Sequence, residues 1–283
     1  MAVFHNQASL VYRGLTTRSN VTTGELTDTS GFAKAAVSQD YAPDERIAFA
    51  LSLQNDGTED LNALAVTDDL GAYFYEGQTL YPLAYAQNSL QFYLNGVLQP
   101  AGTLTVTPGP PLTISGLDLP AGANAVLVYE ALVTPYAPLG ETAEITNTAT
   151  LTGGAVAQTA SATVPMAAEA RLTISKSVAP AVIAENGQVA YTFVLQNTGA
   201  TDTGAGDALT VTDTFDPILT DPVVTLDGQP LTETADYTYD PLTGAFATVP
   251  GQITVPAATY AQNADGVWSV TPGAAVLTVT GTV

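Results

Sequence analysis

V-F-H-N-Q-A-S-L-V-Y, residues 3–12, sets the reading of the whole chain. Phe4, Asn6, Ala8, Leu10 and Tyr12 alternate with His5, Gln7, Ser9 and Val11, the period-two pattern of a half-buried strand. A near-copy, E-I-T-N-T-A-T-L-T, occupies residues 144–152. In it Ile145 matches Phe4, Asn147 matches Asn6, Ala149 matches Ala8 and Leu151 matches Leu10. The copy closes the first of two internal repeats. The second repeat reaches Val283 without such a strand, which predicts one spare strand at the start and one missing from the second repeat. The expectation is a donor strand for the next molecule, built on Phe4, Asn6, Ala8, Leu10 and Tyr12.

Outward from this stretch the repeats can be followed row by row. In the first, Phe32, Lys34 and Ala36 share a face, and Ile47, Phe49, Leu51 and Leu53 lead to Q-N-D-G at 54–57. Leu64, Val66 and Asp68 form the next inward row, Asn95-Gly96 signals a hairpin, and 126–133 is a further strand. In the second, Leu172, Ile174, Lys176 and Val178 are followed by Val189, Tyr191, Phe193 and Leu195, then Q-N-T-G at 196–199. Leu209, Val211 and Asp213, the turn Asp227-Gly228 and the strand 275–283 complete it. The lysine precedes the turn asparagine by 21 residues in both copies (55 − 34 and 197 − 176). Arg13-Gly14 offers a turn after the first strand, and residues 15–26 are expected to fold back on it as a hairpin, just as 157–164 follow 145–151.

Helix signals are nearly absent. Short alternating segments between turns rich in Gly, Pro, Asn and Asp predict an all-β fold of two tandem immunoglobulin-like β-sandwich domains. The expected boundaries are 1–27 for the donor strand or hairpin, 28–168 for the first sandwich and 169–283 for the second, lacking its last strand. L-T-I-S-K-S-V, Y-T-F-V-L-Q-N-T-G, L-T-V-T-D-T-F and I-T-N-T-A-T resemble the conserved-repeat domain found in tandem on bacterial surface proteins. The resemblance covers both copies. It implies an extracellular stalk or filament module of a bacterial cell or spore surface, and not an enzyme.

Composition narrows the chemistry further. Hydrophobic residues make up 46% and charged ones 12%, enough apolar material for two cores. A net charge of −21, from 27 acids against six Lys and Arg, disfavours nucleic acid and anionic bilayers. No apolar run approaches a membrane span, and no basic-then-apolar signal follows Met1, so the sequence reads either as a mature form or as one exported without a cleaved signal. Without cysteine and with His5 as the sole histidine, thiolate chemistry, His-based triads and ordinary zinc sites lack material. No metal site or cofactor is assigned. The acidic loops at Asp56, Glu59 and Asp60 and at Asp202 and Asp207 leave calcium as a candidate ligand. Asn55 and Asn197 are expected in left-handed turn positions before glycine, with a minor alternative as lysine partners.

Three polar residues per repeat point the wrong way. Lys34 and Lys176, the chain's two lysines, lie in phase with apolar rows, as do Asp68, Asp213, Asn147 and Asn6. Lysine, aspartate and asparagine are seldom buried unless paired. The sharper expectation is a spontaneous Lys34–Asn147 isopeptide bond assisted by Asp68, and a second between Lys176 and Asn6 of a neighbouring molecule assisted by Asp213. Burial would leave the amine neutral and the aspartic acid protonated, and the fold would hold the reactants together. Pilins and adhesins with isopeptide-forming sandwich domains are similar in this logic. The plainer expectation is a buried ion pair, with asparagine satisfying the remaining hydrogen bonds.

Two functions follow. One is a filament subunit that polymerises head to tail with itself. The other is a monomeric surface adhesin whose N-terminal strand folds onto its own second domain.

Overall fold

The computed structural model describes residues 2–26, 31–154 and 156–283. It divides into two compact units, one of residues 1–167 with 262–269 and one of 168–261 with 270–283. The expected boundary at 27/28 lies outside the described residues.

The first unit is built on two sheets. One runs Val97–Leu98, Gln91–Leu94, Asn124–Val133, Arg46–Gln54, Phe32–Ala36, with Leu83–Tyr85 also paired to Asn124–Val133. The other runs Thr105–Thr107, Leu112–Leu119, Leu61–Asp68, Glu144–Gly153, Val156–Pro165. Alternation places Ile47, Phe49, Leu51 and Leu53 in the core from the first sheet, and Leu64, Val66, Ile145 and Leu151 from the second. Hairpin turns fall where Asn-Gly and Asp-Gly require them. Asn95 and Gly96 have φ of 49° and 77°, and Asp227 and Gly228 have 50° and 77°. The segment 262–269 was not anticipated in this unit. It is tied there by Gln262 Nε2 donating to Tyr73 Oη at 2.9 Å and by Trp268 N donating to Pro135 O.

The second unit repeats the first sheet as Leu172–Ala179, Gln188–Asn197, Gly273–Thr282, Thr220–Leu226, Gln229–Pro230. Its other sheet has three strands, Thr212–Thr214, Ala245–Thr248 and Tyr237–Tyr239. Its core gathers Phe193, Leu195, Phe215, Phe246, Leu277 and neighbours. Register is kept between the copies. Lys34 faces Leu51 as Lys176 faces Phe193, and Phe49 faces Tyr129 as Tyr191 faces Val279. Strands equivalent to Glu144–Gly153 and Val156–Pro165 are not found in this unit among the described residues. The inward row expected at Leu209, Val211 and Asp213 is shorter than its counterpart. A 3-10 turn at Ala205–Asp207 precedes it, and only Thr212–Thr214 is a strand.

The N-terminal segment folds as a double-paired hairpin. Ser9–Tyr12 pairs with Leu15–Arg18 around Arg13-Gly14, and Ala2–Asn6 pairs with Thr22–Leu26. The single strand expected over 3–12 is therefore interrupted at Gln7-Ala8. An extra residue in the return arm causes the break. Ser19 pairs with Ala8, but Asn6 pairs with Thr22, leaving Val21 over. Side chains from His5 to Arg18 are exposed, Leu10 at 68% and Tyr12 at 64%.

Candidate cross-linking site

Phe32–Ala36, Leu61–Asp68, Asn124–Val133 and Glu144–Gly153 bring four polar side chains together inside the first unit. The lysine strand and Tyr129 belong to one sheet; Asp68 and Asn147 belong to the other. Lys34 Nζ donates to Asp68 Oδ2 at 2.5 Å, with both side chains fully buried. Tyr129 Oη donates to the same Oδ2 at 2.5 Å. Asn147 Nδ2 donates to Tyr129 Oη at 3.3 Å. Asp68 Oδ1 accepts the Leu70 amide at 3.0 Å. The result is a chain of contacts from amine to carboxylate to phenol to carboxamide. Asp69 clamps the closing strand beside it, its Oδ1 accepting the Thr148 amide at 2.9 Å.

Burial shifts the balance of the amine toward its neutral form. Burial pushes the Lys34 pKa below its usual value, against the opposing pull of Asp68 and Asp69. Burial, with Asp68 adding to it, holds the Tyr129 hydroxyl protonated well above the usual tyrosine range. Lys34 Nζ also lies 4.9 Å from the Phe49 ring centroid. Asn147 Oδ1, by contrast, is buried and has no hydrogen-bond partner.

Tyr129 is the residue that sequence reading missed. Asp68 reaches the Asn147 side chain through the Tyr129 phenol. A fully buried Tyr in V-L-V-Y-E at 126–130 was the available signal, since its hydroxyl needs a partner.

The second set of residues is arranged differently. Lys176 Nζ donates to Asp213 Oδ2, and lies 4.7 Å from the Tyr191 centroid and 5.3 Å from that of Phe215. The Lys176 side chain is 40% exposed, correcting the expectation of burial. The whole strand Leu172–Ala179 is exposed, because among the described residues no strand packs on it as Val156–Pro165 packs on Phe32–Ala36. Asn6 is exposed in the N-terminal hairpin, which belongs to the first unit, whereas Lys176 belongs to the second.

Asn55 and Asn197 are neither left-handed nor lysine partners; they brace loops from within. Asn55 Nδ2 donates to Glu59 O and Leu119 O while Oδ1 accepts from Gly57 N. Asn197 does the same with Thr201 O, Gly199 N and Arg171 N. Calcium is not supported. No cluster of three or more His, Cys, Asp or Glu able to hold a metal occurs among the described residues. The acidic side chains instead hold loop amides, Asp60 at Ala121, Asp202 at Ala257 and Asp207 at Gly204. No described helix is long and apolar enough to cross a membrane.

No protein-family model and no curated protein matches the chain, so the resemblance noted from its motifs stands beside the fold alone. Among solved structures, the chain is similar to BcpA, the major pilin subunit of Bacillus cereus. Identity is 11%, coverage 96% of this chain and 73% of that one, and the TM-score 0.38. For the full-length major pilin SpaD of Corynebacterium diphtheriae the values are 12%, 86%, 59% and 0.39. For the collagen adhesin CNA of S. aureus they are 10%, 53%, 55% and 0.34. The chain thus spans little more than half the length of the last two.

Proposed function

We propose that the chain is a structural subunit of an extracellular filament on a bacterial cell surface, not an enzyme, and that molecules join head to tail by donor-strand complementation. Residues 2–12 of one molecule enter the next beside Thr212–Thr214, the aspartate strand of its second unit. One observation carries this reading. In the first unit the aspartate strand Leu61–Asp68 is flanked by Leu112–Leu119 and Glu144–Gly153, whereas Thr212–Thr214 pairs on one side only among the described residues. A copy of the closing strand is present at residues 3–12, with side chains exposed from His5 to Tyr12. A strand added to an open edge gains backbone hydrogen bonds and seats alternate side chains in the core. Because the contact is heterologous and does not close, it yields an open fibre.

Isopeptide bonds secure the units in this proposal. The neutral form of Lys34 Nζ, which burial favours, attacks Cγ of Asn147. The new C–N bond forms as the bond to Nδ2 breaks and ammonia leaves. One proton must pass from Nζ to Nδ2, and the contacts Nζ to Asp68 Oδ2 to Tyr129 Oη to Nδ2 supply a route. Asp68 accepts from the amine while Tyr129 hands its proton to the departing nitrogen and is replenished by Asp68.

Negative-stain microscopy of the full chain is expected to show fibres. Deleting residues 1–26 is expected to leave a folded first unit, which has its own closing strand, and to abolish fibres. Normal polymerisation of the truncated chain would refute donor-strand assembly, and uniform short rods from the intact chain would support a self-closed adhesin instead.

A further inference from the structure

The N-terminal segment copies more than one strand. Asn6 and Asn147 stand 141 residues apart in their strands (147 − 6). The hairpin ends keep that spacing on both arms. Tyr12 pairs with Leu15 across two turn residues, and Gly153 pairs with Val156 across two (153 − 12 and 156 − 15). Ser19 pairs with Ala8 as Ala160 pairs with Ala149, again at 141. The return arm is therefore in the register of Val156–Pro165 from Leu15 to Ser19, and departs from it only at the extra residue Val21.

In the first unit the return strand has its own task. Val156–Pro165 pairs with Glu144–Gly153 along ten residues and packs against the lysine strand Phe32–Ala36. Its inward row is covered, Val156, Gln158 and Ala160 partly and Ala162 and Val164 fully, while Ala157 and Thr159 face solvent. Among the described residues the lysine strand of the second unit lacks such cover. Ile174 is 57% exposed, and Leu172 and Val178 are exposed as well.

We propose that a second copy docks its whole N-terminal hairpin on the second unit, with the return arm laid over the lysine strand Leu172–Ala179. This rests on the donor-strand reading above. The first arm closes the aspartate strand; the return arm covers the lysine strand and removes Lys176 from water. By register, Leu15, Thr17 and Ser19 face inward in the docked hairpin, and Thr16 and Arg18 face out. In the undocked hairpin Thr16 and Thr17 are both exposed.

The chain has no cysteine, so single-cysteine variants report without background. Maleimide labelling of Thr17→Cys, Thr16→Cys and Leu10→Cys would be timed in fibres and in unassembled full-length protein. In fibres, Thr17→Cys and Leu10→Cys are expected to label at least about tenfold more slowly than unassembled protein, and Thr16→Cys at an unchanged rate. If Leu10→Cys is protected but Thr17→Cys labels like Thr16→Cys, the strand enters alone and the hairpin proposal falls while donor-strand assembly stands. If all three label freely in fibres, the hairpin is not the occupant, as when chain following Val283 fills the slot, and both fall. Protection of Thr17→Cys in protein that forms no fibres would also overturn both.

Discussion

Replacing Asn147 by Ala removes the carboxamide that the proposed Lys34 bond needs, and the structure sets the size of the loss. The link would close the 113 positions between Lys34 and Asn147 (147 − 34). A cross-link around about 100 residues removes denatured-state entropy worth roughly 4.7 kcal/mol. The hydrogen bond to Tyr129 adds about 1 kcal/mol. A loss of about 5–6 kcal/mol corresponds to a midpoint lower by roughly 10–20 °C for a unit of this size. Calorimetry and intact mass are read together: the parent should be lighter than its calculated mass by one ammonia per internal bond, and Asn147→Ala should recover that ammonia. A double-mutant cycle with Lys34→Met sharpens the test. Each single change breaks the same bond, so the pair should fall short of additivity by about 4–5 kcal/mol, beyond the roughly 0.5–3 kcal/mol of non-covalent neighbours. Full calculated mass in folded parent protein, or additive losses, would refute the bond.

The remaining expectations are narrower. In Asn147→Ala the amine stays free, with a pKa below its usual 10.5 from burial against the pull of Asp68 and Asp69. The unfolded chain then binds more protons between those two values, so stability should rise with pH across that window in denaturant titrations. The cross-linked parent, without a titrating Lys34, should lack the rise. Tyr129→Phe keeps the ring stacked 5.6 Å from Phe49 but breaks the proton route, so the ammonia-loss species should form about 10²-fold more slowly or worse in a mass time course after refolding. Asn55→Ala loses three hydrogen bonds and should cost about 2–3 kcal/mol by urea titration with the mass deficit unchanged.

What the sequence made legible follows from periodicity. The twin registers, the Asn-Gly and Asp-Gly hairpins and the phasing of Lys34, Asp68 and Asn147 are all period-two features, and strands express them directly. Burial depends on what lies across the sheet, and that was not legible. Lys176 shares the pattern of Lys34 yet remains 40% exposed, because a strand is buried only by its partner. The break at Gln7-Ala8 came from Val21, on the opposite arm. Asn55 and Asn197 fit the turn signature, but their side chains turn inward to backbone groups distant in sequence, Asn55 to the Leu119 carbonyl and Asn197 to the Arg171 amide. Tyr129 was hidden in an apolar run, where the hydroxyl leaves no trace in the alternation.

One difference between matched pairs of the two units bears on how subunits join. Phe49 faces Tyr129 in the first unit; at the same registers Tyr191 faces Val279 in the second. The hydroxyl absent from one strand is present on its neighbour, with the Tyr191 ring against Lys176 Nζ. If a phenol must hand the proton to the departing nitrogen, Tyr191 is the group placed to do so when Asn6 arrives. Lys176 and Asn6 meet only when the strand is seated, so docking must precede the bond. Fibres of the parent should therefore survive boiling in detergent as a ladder, while Asn6→Ala and Lys176→Ala fibres should collapse to monomer. Tyr191→Phe should form fibres by strand pairing yet cross-link roughly 10²-fold more slowly, and adding Val279→Tyr should recover the ladder at least in part. A tryptic peptide joining Asn6 to Lys176 would identify the bond. Tyr191→Phe fibres that withstand boiling as well as the parent's would remove the phenol from the mechanism, and parent fibres that dissociate fully on boiling would leave the assembly held by strand pairing alone.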